Sequence, residues 1–183
     1  MEFEVLDWPP NGSKVRLDHE SFAYAGKFVM TDTGKAVARE GETVVGAASF
    51  SPDRTDGATL RIRYVTVRRD RRGEGIGPRL LAGLRVRALD RPEYTRLAIG
   101  VNNPYAFEAL HRAGFGFTGE TTGLAELVLA APPDSPRESG YTAGLERFAR
   151  RELTDAERSF VRDRLDTDPP ASIEPPPIAV PES

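Results

Sequence analysis

The sequence predicts a mixed α+β fold: a largely antiparallel sheet flanked by helices, with a helical extension at the C-terminal end. Three observations carry this expectation. Short β-branched runs, bounded by turn residues, recur between Phe3 and Val67. The last of them passes through Val65-Thr66-Val67 into a turn with Gly73, Gly75 and Gly77, and leaves it as a helix. Between residues 140 and 166 the apolar spacing is helical.

Phe3 to Leu6 reads as a first strand, closed by the turn Trp8-Pro9-Pro10-Asn11-Gly12. Val15 to Met30 is ambiguous between a short helix and a strand, with a break at Gly26. Lys35–Arg39 and Thr43–Phe50 alternate as a hairpin around Glu40-Gly41-Glu42. Ser51–Gly57 is a loop, and Thr59–Val67 is the third strand of the meander. Ile76, Leu80, Leu81, Leu84 and Ala88 recur every three or four residues, which places one apolar stripe on a helix. After the break at Arg91-Pro92, Arg96–Val101 is a short buried strand. Strand, helix and strand in succession imply a parallel pair joined by a right-handed crossover. Glu126–Ala130 is a last strand. The division expected is a main domain over 1–131, a proline-rich linker over 132–139, a helical hairpin over 140–166 and a tail over 167–183. Leu145, Phe148, Ala149 and Leu153 stripe the first helix of the hairpin, and Thr154-x-x-Glu157 is a capping box for the second. The hairpin reads either as packed on its own domain or as a dimer arm or lid. The tail, with six prolines and no aromatic residue, reads as disordered or loosely draped.

Composition narrows the function. The 183 residues are 39% hydrophobic, which suits a soluble protein with one core. Absence of cysteine removes disulfides, thiolate metal sites and a cysteine nucleophile. His19 and His111 are far apart in sequence, so a histidine metal site is not expected. The start, Met-Glu-Phe-Glu-Val, lacks the basic and apolar regions of a signal peptide, and no apolar run reaches membrane-spanning length. A cytoplasmic location is the expectation, without membrane attachment. A net charge of −3 argues against nucleic-acid binding. Yet residues 61–96 carry 11 Arg against 4 acids, so positive charge gathers around the glycine turn. That concentration suits a phosphorylated small molecule.

The glycine turn itself is an anion site in outline. Backbone N–H groups without neighbouring side chains, at the positive end of a helix dipole, attract phosphate. Arg71 and Arg72 add guanidinium groups that can pair with it. The turn is no P-loop, because no Lys follows the glycines, and it departs from the dinucleotide fingerprint at Pro78. A surface Gly/Arg turn is the bland alternative. The run Arg72-Gly73-Glu74-Gly75-Ile76-Gly77 fits R/Q-x-x-G-x-G/A and resembles the pyrophosphate loop of the GNAT family of acetyl-CoA-dependent N-acetyltransferases. Asn102–Phe117 resembles the family's later motif, N-x-x-A-x-x-x-Y-x-x-x-G-F, through Asn103, Ala106, Gly114 and Phe115. Together the resemblance spans roughly residues 35 to 130.

The resemblance implies a GNAT-like fold whose parallel strand pair splays to admit the pantetheine arm. It implies acetyl-CoA as cosubstrate, held by Val65, Thr66, Val67, Arg72, Gly73, Glu74, Gly75, Ile76, Gly77 and Asn103. It implies transfer of an acetyl group, by direct attack, to a primary amine of a small molecule or protein, with a homodimer as a frequent assembly. The family's usual proton donor is a Tyr seven residues after the motif Asn, and Leu110 stands there. His111 and Tyr105 are the nearby candidates for a catalytic acid. Tyr24, Asp53, Glu120 and Glu126 are unranked candidates for a base, and Arg61 and Arg63 could line the pocket of an acidic acceptor. A non-catalytic acyl-CoA-binding module is the alternative reading.

Overall fold

A computed structural model describes residues 1–134 and 137–182. Ser135 and Pro136, within the linker expected at 132–139, and Ser183 lie outside the described residues. Two compact units emerge: Met1–Leu97 together with the segment from Glu174, and Ala98–Ile173. The division thus falls within a strand rather than at the proline-rich stretch.

The first unit holds β1 (Glu2–Asp7), β2 (Gly34–Glu40), β3 (Thr43–Pro52) and β4 (Thr59–Val67), side by side in that order and antiparallel. Helix α1 (Ile76–Leu89) covers one face of this sheet. All five stripe residues read from the sequence are buried, with Leu80, Leu84 and Ala88 at 0% exposure. A Cβ on Gly46 of β3 would lie 3.1 Å from Ile76 Cγ2, so glycine there lets α1 come close.

The opposite face carries the cluster Val15, Phe28, Val37 and Ala47, with Leu6, Leu17, Val44 and Tyr64 packed against it. The ambiguous segment 15–30 supplies this cover as a loop. It contains one 3₁₀ turn, Ala25–Val29, and is pinned by Val15 N–H donating to Phe28 O at 2.8 Å. Buried Lys35 closes the loop's end, its Nζ donating to Met30 O at 2.6 Å and Thr33 O at 2.7 Å. Two backbone carbonyls thus satisfy an ammonium that burial would otherwise make costly.

The chain's last segment belongs to this unit. Val5 N–H donates to Ala179 O at 2.7 Å, and Ala179 N–H donates to Phe3 O at 3.0 Å. Ile178 is 3% exposed, and Arg87 Nε donates to its carbonyl. The segment therefore occupies the outer edge of β1, which shields backbone groups that an open sheet edge exposes. Proline-rich composition predicts a loose tail here; one isoleucine and two backbone bonds pin it instead.

The second unit orders its strands β5 (Arg96–Val101), β7 (Leu127–Ala131) and β6 (Gly116–Thr121), with β6 and β7 antiparallel and β5 beginning just before the unit's boundary. Helices α2 (Pro104–Arg112), α3 (Arg137–Ala149) and α4 (Asp155–Arg164) complete it. Phe107 of α2 is fully buried and meets Phe117, Tyr141 and Phe148, with ring centroids at 6.1, 5.9 and 5.7 Å. Glu108 of α2 accepts from Arg164 Nε of α4 at 3.1 Å. The capping box forms as the sequence predicts: Thr154 Oγ1 accepts from Glu157 N, and Glu157 Oε1 accepts from Thr154 N. Seven mostly antiparallel strands and four α-helices among the described residues make this the α+β class predicted from sequence. No described helix is long and apolar enough to cross a membrane.

Candidate active site

The site grows from the end of β4. Arg63 is an extra residue there: Ser49 stands opposite Tyr64 but Phe50 opposite Ile62, so the strand bulges between them. Bulges of this kind redirect a strand and concentrate near functional sites. Thr66 is buried, while Val65 and Val67 are half-buried. A 3₁₀ turn over Arg69–Arg71 then leads into the glycine loop.

Gly73 and Gly75 have φ of +81° and +78°, in the region that side chains rarely adopt. Nothing lies within 4 Å of the position where either Cβ would be, so their open side is free for a ligand. Gly75 is the N-cap of α1 and has no side chain to cap it. The first turn contains no acidic residue, and its third residue, Pro78, has no N–H. The amides of Ile76 and Gly77 therefore face the loop at the positive end of a 14-residue helix.

The two arginines expected at the phosphate separate in role. Arg71 donates to both Glu40 carboxylate oxygens, at 2.6 and 2.7 Å, and to Glu74 at 2.9 Å. These bonds hold its guanidinium protonated and hold the Glu40 carboxyl below the usual carboxylate range. Arg71 is thus a brace for the loop, tying it to the β2–β3 turn. Arg72 is exposed, and no ion pair or side-chain hydrogen bond engages it among the described residues. It is the guanidinium of the loop left for an anion.

Arg61 and Arg63 are also committed. Arg61 Nε donates to Asp53 Oδ2 at 2.9 Å; Arg63 donates to Ser51 Oγ at 2.8 Å and to Pro52 O at 3.0 Å. The Asp53 carboxyl lies far below its usual range, first through bonds from the Thr55 amide and hydroxyl and then through Arg61. An ionised carboxylate with every partner assigned is a loop brace, not a free base. A carboxyl depressed on folding adds stability above its unfolded value, and that stability is lost as pH falls through the folded value. The melting temperature of Asp53→Asn is therefore expected below wild type from pH 5 to 7, with the gap closing below about pH 4. A gap independent of pH would show that this carboxylate's charge is irrelevant to stability.

In the second unit, Asn103 caps α2, its Oδ1 accepting from Ala106 N at 2.9 Å. Tyr105 is 46% exposed and sits edge-on to Phe160, with centroids 4.6 Å apart. His111 is fully buried, between Phe107 at 4.8 Å and Tyr141 at 5.0 Å. Leu110 is 4% exposed. Glu126 accepts from Thr122 Oγ1 at 3.2 Å, and Glu120 is exposed on β6. No group of three or more His, Asp or Glu among the described residues could hold a metal ion.

Sequence reasoning missed one feature, a cavity of about 470 Å³ between the 15–30 segment and the turn after β4. Its walls include His19, Phe22, Tyr24, Lys27, Met30 and Arg69. The signal lay in the run Phe22-Ala23-Tyr24-Ala25, apolar residues in a stretch without helical or strand periodicity.

The model of the Acetyltransferase (GNAT) family matches residues 2–117. The chain belongs to this family. The match covers well over half of the sequence and takes in both the glycine loop and the motif of the α2 region. No curated protein matches the chain. Among solved structures, an N-acetyltransferase from Staphylococcus aureus Mu50 is 26% identical, over 54% of this chain and 64% of that one, with a TM-score of 0.45. A ribosomal-protein-alanine N-acetyltransferase from Brucella melitensis is also 26% identical, over 54% and 67%, with a TM-score of 0.43. A Bacillus subtilis acetyltransferase in complex with CoA is 16% identical, over 54% and 75%, with a TM-score of 0.45. The chain therefore spans about two thirds of the length of the first two. Within the GNAT family it departs from the usual pattern at Leu110, which holds the place of the common Tyr.

Proposed function

We propose that this GNAT-family protein is an acetyl-CoA-dependent N-acetyltransferase that acetylates a primary amine by direct attack. The observation that carries the reading is the open glycine loop, with amides directed outward at an uncapped helix N-terminus and Arg72 unengaged beside it. These groups fit a pyrophosphate, since amides and an exposed guanidinium are strong anion partners. When bound, acetyl-CoA supplies an activated acetyl thioester. The chain's residues then have separable tasks. The amides from Gly73 to Gly77 and Arg72 hold the phosphates. Backbone groups of Val65, Thr66 and Val67 orient the acyl arm and polarise its carbonyl. The role of Asn103 is to set the start of α2.

Of the two candidate acids, Tyr105 is a partly exposed residue, whereas the aromatic enclosure of His111 favours a packing role. Leu110 supports the alternative, a non-catalytic acyl-CoA-binding module. Steady-state CoA release, measured with a thiol reagent across a panel of primary amines, separates the two. Amine-dependent release well above the rate of acetyl-CoA hydrolysis is expected. Saturable acetyl-CoA binding without any amine-dependent release would favour the binding module.

A further inference from the structure

We propose that the cavity bounded by the 15–30 segment is the acceptor site, and that its acceptor is a primary amine carrying both a carboxylate and an aromatic ring. This rests on the acetyltransferase reading and names the class of its second substrate.

Size comes first. A cavity of about 470 Å³ has the volume of a small-molecule pocket. Charge comes second. His19, Lys27 and Arg69 are in its walls, and no acidic side chain is. Lys27 is exposed, with its Nζ 5.7 Å from the centre of the Tyr64 ring. Arg69 is held by the carbonyls of His19 and Glu20 rather than by a carboxylate, so its charge stays uncompensated. A carboxylate fits such walls, and a second cation does not.

Aromatic character is the third observation. Tyr24 is 60% exposed, and its ring lies 5.4 Å from that of Tyr64 at a tilt of 43°. Its φ is +60°, in the left-handed region. A bulky residue held there is strained, and such strain gathers at binding sites. The exposed Tyr24 ring, backed by Tyr64, offers the cavity a stacking surface for an aromatic acceptor.

The fourth observation connects the cavity with the reaction. Tyr64 lies on β4 immediately before Val65, on the sheet face that Phe28 covers. Ser49 opposite Tyr64, and Thr66 two residues along β4, share that face, and their buried hydroxyls have no hydrogen-bond partner among the described residues. Buried hydroxyls are seldom left without partners in a finished core. They lie on the strand proposed to orient the thioester and on its neighbour, behind the cavity rather than in its wall.

The test is a matched comparison of L-phenylalanine with phenethylamine, which differ only in the carboxylate, and with L-alanine, which lacks the ring. kcat/KM is taken from CoA release, and acetyl-CoA binding is followed separately by thermal shift. Phenylalanine is expected to exceed each of the other two by roughly tenfold, the scale of one charge-assisted bond or one ring contact. Lys27→Met should reduce the phenylalanine to phenethylamine ratio severalfold, and Lys27→Glu should invert it. Lys27 is exposed, so both variants are expected to fold. Acetyl-CoA binding combined with no preference for phenylalanine, with turnover of other primary amines but of neither aromatic one, or with a ratio unmoved in both variants overturns this inference alone. Failure to bind acetyl-CoA overturns the underlying reading as well.

Discussion

Gly75→Val is expected to weaken acetyl-CoA binding by at least about tenfold while the protein stays folded. Gly75 has φ +78° and ψ +15° and caps α1. A β-branched residue in that region costs roughly 1–2 kcal/mol, and 1.4 kcal/mol corresponds to about tenfold in an equilibrium constant. A Cβ at this position meets nothing within 4 Å, so the added side chain starts in open space. The cost is met instead by a shift of the loop, which turns the Ile76 and Gly77 amides off their common target, and by a side chain standing where a phosphate would approach. Arg72→Ala should weaken binding less, and its effect should shrink with added salt, because an exposed charge is screened. Unchanged affinity in Gly75→Val would mean that the loop does not hold the cosubstrate.

Phe107→Ala is expected to destabilise the protein by about 3–5 kcal/mol, the range for removing a buried aromatic ring. Phe107 is fully buried and lies at the centre of the second unit's aromatic cluster. A Cβ on Gly144 of α3 would sit 2.1 Å from Phe107 Cζ, so the ring fills the space that this glycine leaves. Such a fit leaves little room for collapse around a cavity. For a chain of this length each kcal/mol moves the melting temperature by roughly 2–4 °C, so a fall of about 10 °C is expected in thermal denaturation followed by circular dichroism. A fall of only a degree or two would show that α2 and α3 are not packed through this ring.

The first unit was largely legible in the sequence because its elements follow simple periods. The hairpin of β2 and β3, the strand β4 and the stripe of α1 each satisfy one local rule, and each forms. The glycine loop was legible for the same reason: its chemistry lies in five consecutive residues. Other features depend on contacts that sequence spacing does not encode. The 15–30 segment is held by Lys35 and by the Phe28 carbonyl, partners that propensity cannot see. Arg71 and Arg72 are neighbours of the same type, and it is the bonds of Arg71 to Glu74 and to Glu40, 31 residues away, that separate the two. β6 has no counterpart among the strands expected from the sequence, because Gly116 and Gly119 interrupt its alternation. His111 reads on the helix as a residue free to reach a substrate, yet the packing of Tyr141 beside it encloses the ring. The pinned tail depends on Ile178 and on backbone bonds at Ala179 among many prolines, a signal too small for composition to register.

The most direct measurement of the central claim is calorimetric titration of acetyl-CoA into the purified protein, with Gly75→Val titrated in parallel. Saturable binding at one site per chain, weakened about tenfold in the variant, is the result expected. Absence of binding up to millimolar acetyl-CoA, or equal binding by both proteins, would contradict the assignment of the glycine loop as the cosubstrate site.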